Sequence, residues 1–392
     1  MTVLSIASAG DALKSFFLPS LRYQLNTGAS AVLAQFTRDS QSVVGKDIIM
    51  ALRYGRNGGF GGGDDVADLP VPNSRKTKQA KWETRNLYAR IQISDKTMKA
   101  AKNDTGAFAN LFKTELEDAQ DDAKENLSRQ IFGDSLGKLT TLTGVSGAVL
   151  TIPATDIQNF AEGMMVDYYN PTGPVKRNSA PVEVILVDEA NSQITLSSAT
   201  DAAISDFVTV QNSYSNEITG LGAVFTATTL YNLLRSSYPW FNAQRKNVAG
   251  EISETKIQEA IDDARRKAGS KADLLICSFG VRRAYQYLMQ SQKRQVNTLD
   301  LKGGWTGLEY VGGEKAVGLV ADQYCPAGKM YAIDSNDFKF YEIEDWTWLD
   351  NDGAVLSRVS GKPIWEASMV KYGDLGCQKP RGQVEMYGIV EH

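Results

Sequence analysis

Histidine is all but missing from this chain: the single one is His392, the last of 392 residues. A Ser–His or Cys–His nucleophile system therefore has no base inside the fold, and a histidine-rich metal site has no ligands. Most hydrolase readings end there. Cysteine is scarce as well. Cys277, Cys325 and Cys377 are odd in number, widely spaced and not arranged as CxxC. They read as small buried hydrophobes in a reducing cytosol, not as a disulfide frame or a zinc site. No apolar run approaches the roughly 18 residues needed to cross a bilayer, so no membrane partner is expected. The opening MTVLSIASAGDALKSFF lacks a basic stretch ahead of a short apolar one, which argues against a secretory signal. Strong charge of either sign is lacking too: the net charge of −4 supplies no global basic field to recruit nucleic acid. The glycine cluster from Gly58 to Gly63 is followed by neither GKS nor GKT and opens no helix, so it is not a phosphate cradle. No cofactor is expected.

What is present is an ordinary folded composition, 42% hydrophobic and 22% charged, in a chain too long for one core. Two or three domains are expected. The segment ISDKTMKAAKNDTGAFANLFKTELEDAQDDAKENLSRQIFG organises the rest. Phe108, Phe112, Leu116, Ala119, Ala123, Leu127 and Ile131 recur every three or four residues, which puts one apolar stripe along a helix. Asn103, Asp104 and Thr105 supply cap chemistry at its start and Gly133 a stop at its end. Such a helix is about 40 Å long, well above the usual length. Its other face is acidic, with Glu115, Glu117, Asp118, Asp121, Asp122 and Glu125 against Lys113 and Lys124. On charge pattern alone this is a solvated face.

Ahead of the helix, Leu13, Phe16, Phe17, Leu21 and Leu25 fall on helical spacing with Pro19 interrupting. Short helical pieces of this kind make an arm that must pack on something else. DIIMALRY (47–54) and NLYARIQI (86–93) read as strands, the second with Leu87, Ala89, Ile91 and Ile93 on one face. A long Gly-, Pro- and Lys-rich segment lies between them, improbable in a compact domain unless it has a job. A two-stranded ribbon of this reach would be barely stable alone. After the helix, residues 137–219 carry short β-rich runs separated by turn signals such as Asn170-Pro171 and Gly173-Pro174. This predicts an inserted antiparallel barrel or sandwich. The α/β pattern then resumes. A helix runs from near Ser253 to Gly269, followed by strand LLICS, helix FGVRRAYQYLMQ, and strands KAVGLVAD, KMYAID and FKFYEIEDWTWL.

This order of parts resembles the major capsid protein of tailed bacteriophages, the Hong Kong 97-like fold. An arm precedes an extended hairpin at 47–93, which leads into a long spine helix at about 105–132. GLGAVFTATTLYNLLRSSYPWF is similar to the peripheral-domain segment of such coats. ISETKIQEAIDDARRKAGSKADLLICSFGVRRAYQYL is similar to their axial helix, strand and second helix, and GEKAVGLVADQYCPAGKMYAIDSNDFKFY to the sheet that follows. The fold class so implied is α+β. Its parts are an N-terminal arm (1–44), an extended E-loop hairpin (45–92), a peripheral domain with the spine helix (93–136), an inserted β domain (137–219), more of the peripheral domain (220–250), an axial domain (251–350) and a return to the peripheral domain (351–392). The resemblance implies a coat subunit, not an enzyme, assembled in a bacterial cytoplasm into hexamers and pentamers of a closed shell. That shell encloses double-stranded DNA without reading its sequence. A portal, a decoration protein and a scaffolding protein are the further partners implied. The chain starts at the arm with no long charged helical extension, so scaffolding is expected from a separate protein.

Other constellations compete. Glu342, Glu344 and Asp345 beside Trp346 and Trp348 could serve a glycosidase, against a plain strand at a subunit edge, which is favoured. Asp350-Asn351-Asp352-Gly353 opens like a calcium loop, but no Glu closes it. Asn297 and Lys302 flank a probable axial loop and match no covalent cross-linking pair. An encapsulin-type compartment shell and a carbohydrate-active enzyme remain as alternatives to a phage coat. Where subunits meet, the expected partners are the basic limb, Arg75, Lys76, Lys78, Lys81 and Arg85, and the acidic face of a neighbour's spine helix, Glu115 to Glu125.

Overall fold

The computed structural model describes residues 32–45, 47–65, 68, 70–96, 105–198, 200–291, 298–300, 306–312, 315–350 and 355–392. The helical pieces expected before residue 32, the caps Asn103 and Asp104, the loop residues Asn297 and Lys302, and 351–353 lie outside them. Among the described residues, buried apolar side chains form three clusters. Two or three domains' worth of core is what the chain length requires.

The long helix spans Thr105–Ile131. Leu116, Ala123, Leu127 and Ile131 are buried along it as the stripe predicts. Gly133 serves a purpose other than a left-handed stop. The short helix Leu221–Thr226 crosses here, with the Ala223 amide donating to the Gly133 carbonyl at 3.1 Å. A Cβ on Gly222 would lie 2.8 Å from the carbonyl oxygens of Phe132 and Gly133. Glycine is what allows the two helices to touch.

The helix leads into a sheet of seven strands in the order Lys138–Thr141, Phe207–Val210, Met165–Tyr169, Val182–Asp188, Gln193–Leu196, Val149–Thr151 and Gly144–Ser146. Its first and last members are separated by two residues of chain, Leu142 and Thr143. Those two ends therefore lie close together, and the sheet curls like a small barrel around Leu139, Leu150, Val166, Val184, Ile194 and Val208. The expected β insert is present with its own core.

A five-stranded sheet carries the first cluster. Phe338–Trp348 pairs in parallel with Thr37–Asp39 and antiparallel with Ile364–Cys377, which in turn pairs with Arg85–Ser94 along its length. The strand read as a subunit edge is therefore interior to this sheet. Leu87, Ile91 and Ile93 are buried as their alternation predicts, but the partner of 86–93 is the distant 364–373, not 47–54. The strand Asp47–Arg53 pairs instead with Thr77–Glu83, inside the segment read as a loop.

The third layer is a seven-stranded sheet, ordered Gln244–Gly250, Val384–Ile389, Met330–Ile333, Leu274–Cys277, Lys315–Ala321, Thr306–Gly312 and Thr298–Asp300. It draws strands from both sides of the boundaries read at 250 and 350. Its helix Glu254–Ala268 starts where Ser253 Oγ accepts from the Lys256 amide and stops at Gly269, φ +66°, as cap chemistry dictates.

Candidate assembly surfaces

The ribbon is built on the register Ile48↔Trp82, Met50↔Ala80, Leu52↔Lys78. Alternation puts these six residues on one face. That face is not bare. Ile48, Ala80 and Trp82 are buried, and Met50 and Leu52 pack against the same core. Trp82 stacks on Tyr231 with centroids 4.1 Å apart, and the Lys81 amide donates to the Tyr231 carbonyl at 3.1 Å. Lys78 Nζ sits 5.2 Å from the Tyr238 ring centroid, and Tyr54 stacks on Trp240 at 4.5 Å. The base of the ribbon is thus held by its own subunit, a correction to the expectation of an unsupported element. A ladder of seven residue pairs with one apolar face suffices once a surface of matching aromatics lies beneath it; each large side chain so buried contributes on the order of 2 kcal/mol. Beyond Tyr54 the ladder ends. Phe60 and Val71 are each 83% exposed there.

The expected contact residues separate accordingly. Arg75 and Lys76 are exposed at the start of the returning limb. Lys81 pairs with Asp47 across the ribbon at 2.9 Å, and Lys78 is over Tyr238. Arg85 is half-buried and acts on the carboxyl of Asp374. Lys78, Lys81 and Arg85 thus each have a partner within their own subunit. On the helix, Asp121 bonds Lys124 at 2.7 Å, and Asp122 and Glu125 are exposed. The backbone of Glu115, Glu117 and Asp118 lies within the helix, while their side chains are outside the described residues.

Two buried polar centres escape sequence reading. Lys371, all but fully buried, reaches Glu342 at 2.9 Å and Asp345 at 2.7 Å, and Arg38 reaches the same Asp345 at 2.8 Å. Burial pushes the Asp345 carboxyl up, but Lys371 and Arg38 outweigh it and hold the group below its ordinary range. Trp346 and Trp348 lie in the core. Glu342 and Asp345, engaged this way, tie the strand Thr37–Asp39 to the sheet; Glu344 is exposed, and with both tryptophans in the core no aromatic platform lies beside it for a sugar. The second centre is Asp374. It accepts from the Thr219 amide at 2.5 Å, the Thr219 hydroxyl at 2.9 Å and the Leu375 amide at 2.9 Å. Burial raises its pKa to about 7 against the pull of these donors and of Arg85. It joins the exit of the insert, the base of the ribbon and the central strand. A lone Asp between Gly373 and Leu375 gives no sequence signal of that role. The three cysteine thiols are buried, and burial pushes Cys277 up to about 12 and the other two well above their ordinary value. This is inert packing sulfur.

No family model matches the chain, and no curated protein matches its sequence. Solved structures do. The cyanophage A-1(L) capsid asymmetric unit aligns over 95% of this chain and 92% of that one, at 13% identity and a TM-score of 0.54. The fold resembles that of a tailed-phage capsid protein. The capsid of an empty GTA particle aligns over 92% of this chain and 90% of that chain, at 12% identity and a TM-score of 0.49. The structure titled Mycobacterium phage Bobi covers the same shares at 10% identity and 0.47. At such identities the likeness concerns the fold.

Proposed function

We propose that this chain is a coat subunit, copies of which close into the icosahedral head of a tailed bacteriophage around its double-stranded DNA. The observation that carries the reading is the capsid fold over 95% of the chain. The bare ribbon tip supports it: Phe60 and Val71 at 83% exposure are costly on a monomer and useful where a second copy covers them. Arg75 and Lys76 at the root of that tip meet the acidic face of a neighbour's long helix, at Glu117, Asp121 and Glu125. The inserted barrel lies on the outer surface of the shell. Scaffolding, portal and decoration proteins are further partners.

Electron microscopy of the protein expressed with and without its neighbouring genes tests this. Closed shells that protect DNA from nuclease are expected. Shells enclosing protein cargo and no DNA would replace the phage head by an encapsulin-type compartment. A compact monomer in sedimentation under every assembly condition would sink both.

A further inference from the structure

The ribbon changes character abruptly between Tyr54 and Lys76. Below that level it is a regular ladder lying on aromatic side chains. At that level the amides of Tyr54 and Gly55 both donate to the Lys76 carbonyl, at 3.1 and 3.3 Å. A Cβ on Gly55 would lie 2.6 Å from the Cβ of Lys76, so the limbs pinch together. Above it the limbs are joined by a side chain: Asn57 Oδ1 accepts from the amides of Gly59 and Asn73, both at 3.1 Å. Tyr54, stacked on Trp240, sits at this change.

We propose that Tyr54, Lys78 and Trp82 on the ribbon, with Trp240, Tyr238 and Tyr231 beneath, form a clamp that aims the ribbon. The clamp fixes the base to its own subunit and presents the described tip residues, 55–65 and 70–76, to a second copy. The Tyr54 and Trp240 rings are within 6° of parallel. Trp240 is itself wedged edge-on by Tyr238 at 6.2 Å and Phe241 at 5.7 Å, so the platform is held by contacts outside the ribbon. Tyr54 remains 43% exposed. The stack therefore closes the outer end of the clamp where water competes, and Trp82 anchors the inner end in the core. A cation placed at the middle, Lys78 over Tyr238, adds direction without burying an unpaired charge. These are positioning residues: they set where the tip points and take no part in what the tip touches.

The consequence for assembly rests on the coat reading, but the clamp does not, and limited trypsin digestion of the unassembled chain separates them. Arg56, Arg75 and Lys76 lie in the free tip, and Arg53, Lys78 and Lys81 within the clamp. The native chain should be cut first in the tip. Tyr54→Ala and Trp240→Ala should free the strand that carries the already exposed Lys78 and Lys81, raising cleavage there roughly two- to tenfold, the range an aromatic pair contributes. Tyr54→Phe and Trp240→Phe should restore the native pattern. Melting followed by circular dichroism distinguishes local release from loss of the fold, and Tyr54, being half-exposed, is the variant that leaves the platform intact. Unchanged cleavage at Lys78 and Lys81 in Tyr54→Ala would overturn the clamp, as would Trp240→Phe behaving like Trp240→Ala. In assembly, the alanine variants should slow shell formation. Native protein that forms no shell would sink the coat reading and leave the digestion result standing.

Discussion

Asp374 is the residue whose chemistry is most exposed to test. Its carboxyl titrates near 7 in the folded chain against an ordinary value of 3.8. Between those values the folded state holds a proton that the unfolded state has released. Its contribution to stability is therefore fully present below about pH 4 and lost as the pH rises through 7, on the order of a few kcal/mol in all. Asp374→Asn copies the protonated form. Its carbonyl still accepts from the Thr219 and Leu375 amides, and its amide donates to the Thr219 hydroxyl. Thermal melts from pH 5 to 8 should show the native midpoint falling with pH and the variant's falling less; identical slopes would refute the assignment. The Lys371 centre works in the opposite sense. Its Asp345 carboxylate is held ionised by Lys371 and Arg38, so its share of stability is lost as the pH falls through the depressed pKa of Asp345. Two buried carboxyl sites in one sheet thus pull the pH optimum from both sides.

At the scale of elements, the barrel is joined to the body by a narrow neck. The Ser215 amide donates to the Leu136 carbonyl at 3.2 Å, so entry and exit strands are side by side. Arg129 pairs with Glu217, and Gln130 accepts from the Ile218 amide at 3.3 Å. Glu217 and Ile218 thus contact the long helix of the body, although the sequence boundary at 219 places them in the insert. Removing 138–212 and closing Gly137 to Ser213 with a short linker should leave a soluble chain melting within about 5 °C of the original, since the barrel buries its own core. Circular dichroism and sedimentation of the deletion check this; insoluble protein would show that the barrel supports the body.

At the scale of the whole molecule, charge decides register between copies more than it decides affinity. Lys78 and Lys81 are engaged at home, and reversing them would release the clamp as well as any contact with a neighbour. Arg75 and Lys76 are the clean pair. Their double replacement by Glu should slow shell formation at low salt, with Asp121→Lys and Glu125→Lys restoring part of the rate. Each exposed pair is worth at most about 1 kcal/mol, and the difference should vanish as salt shortens the screening length below roughly 8–10 Å. Normal assembly of the double variant at low salt, followed by light scattering, would remove this contact from the shell.

What the sequence by itself determined is what a few neighbouring residues encode. The apolar stripe of Thr105–Ile131, the Ser253 cap with its Gly269 stop, the alternation at Leu87, Ile91 and Ile93, and the turn-punctuated insert all appear where period and cap chemistry place them. The ordered set of those parts was enough to point to a capsid fold. The tertiary structure alone decided which strand lies beside which. Arg85–Ser94 passes over nearby Asp47–Arg53 for Ile364–Cys377, and Val384–Ile389 crosses into the second sheet. Thr37 pairs with Lys339, three hundred positions along. It likewise decided that three of five ribbon cations are spent within the subunit and that Glu342 and Asp345 share a buried lysine. Period and capping act over one or two turns of chain, so they are written locally. Strand partnership and charge neutralisation are set by which distant faces bury best together, and no local pattern carries that choice.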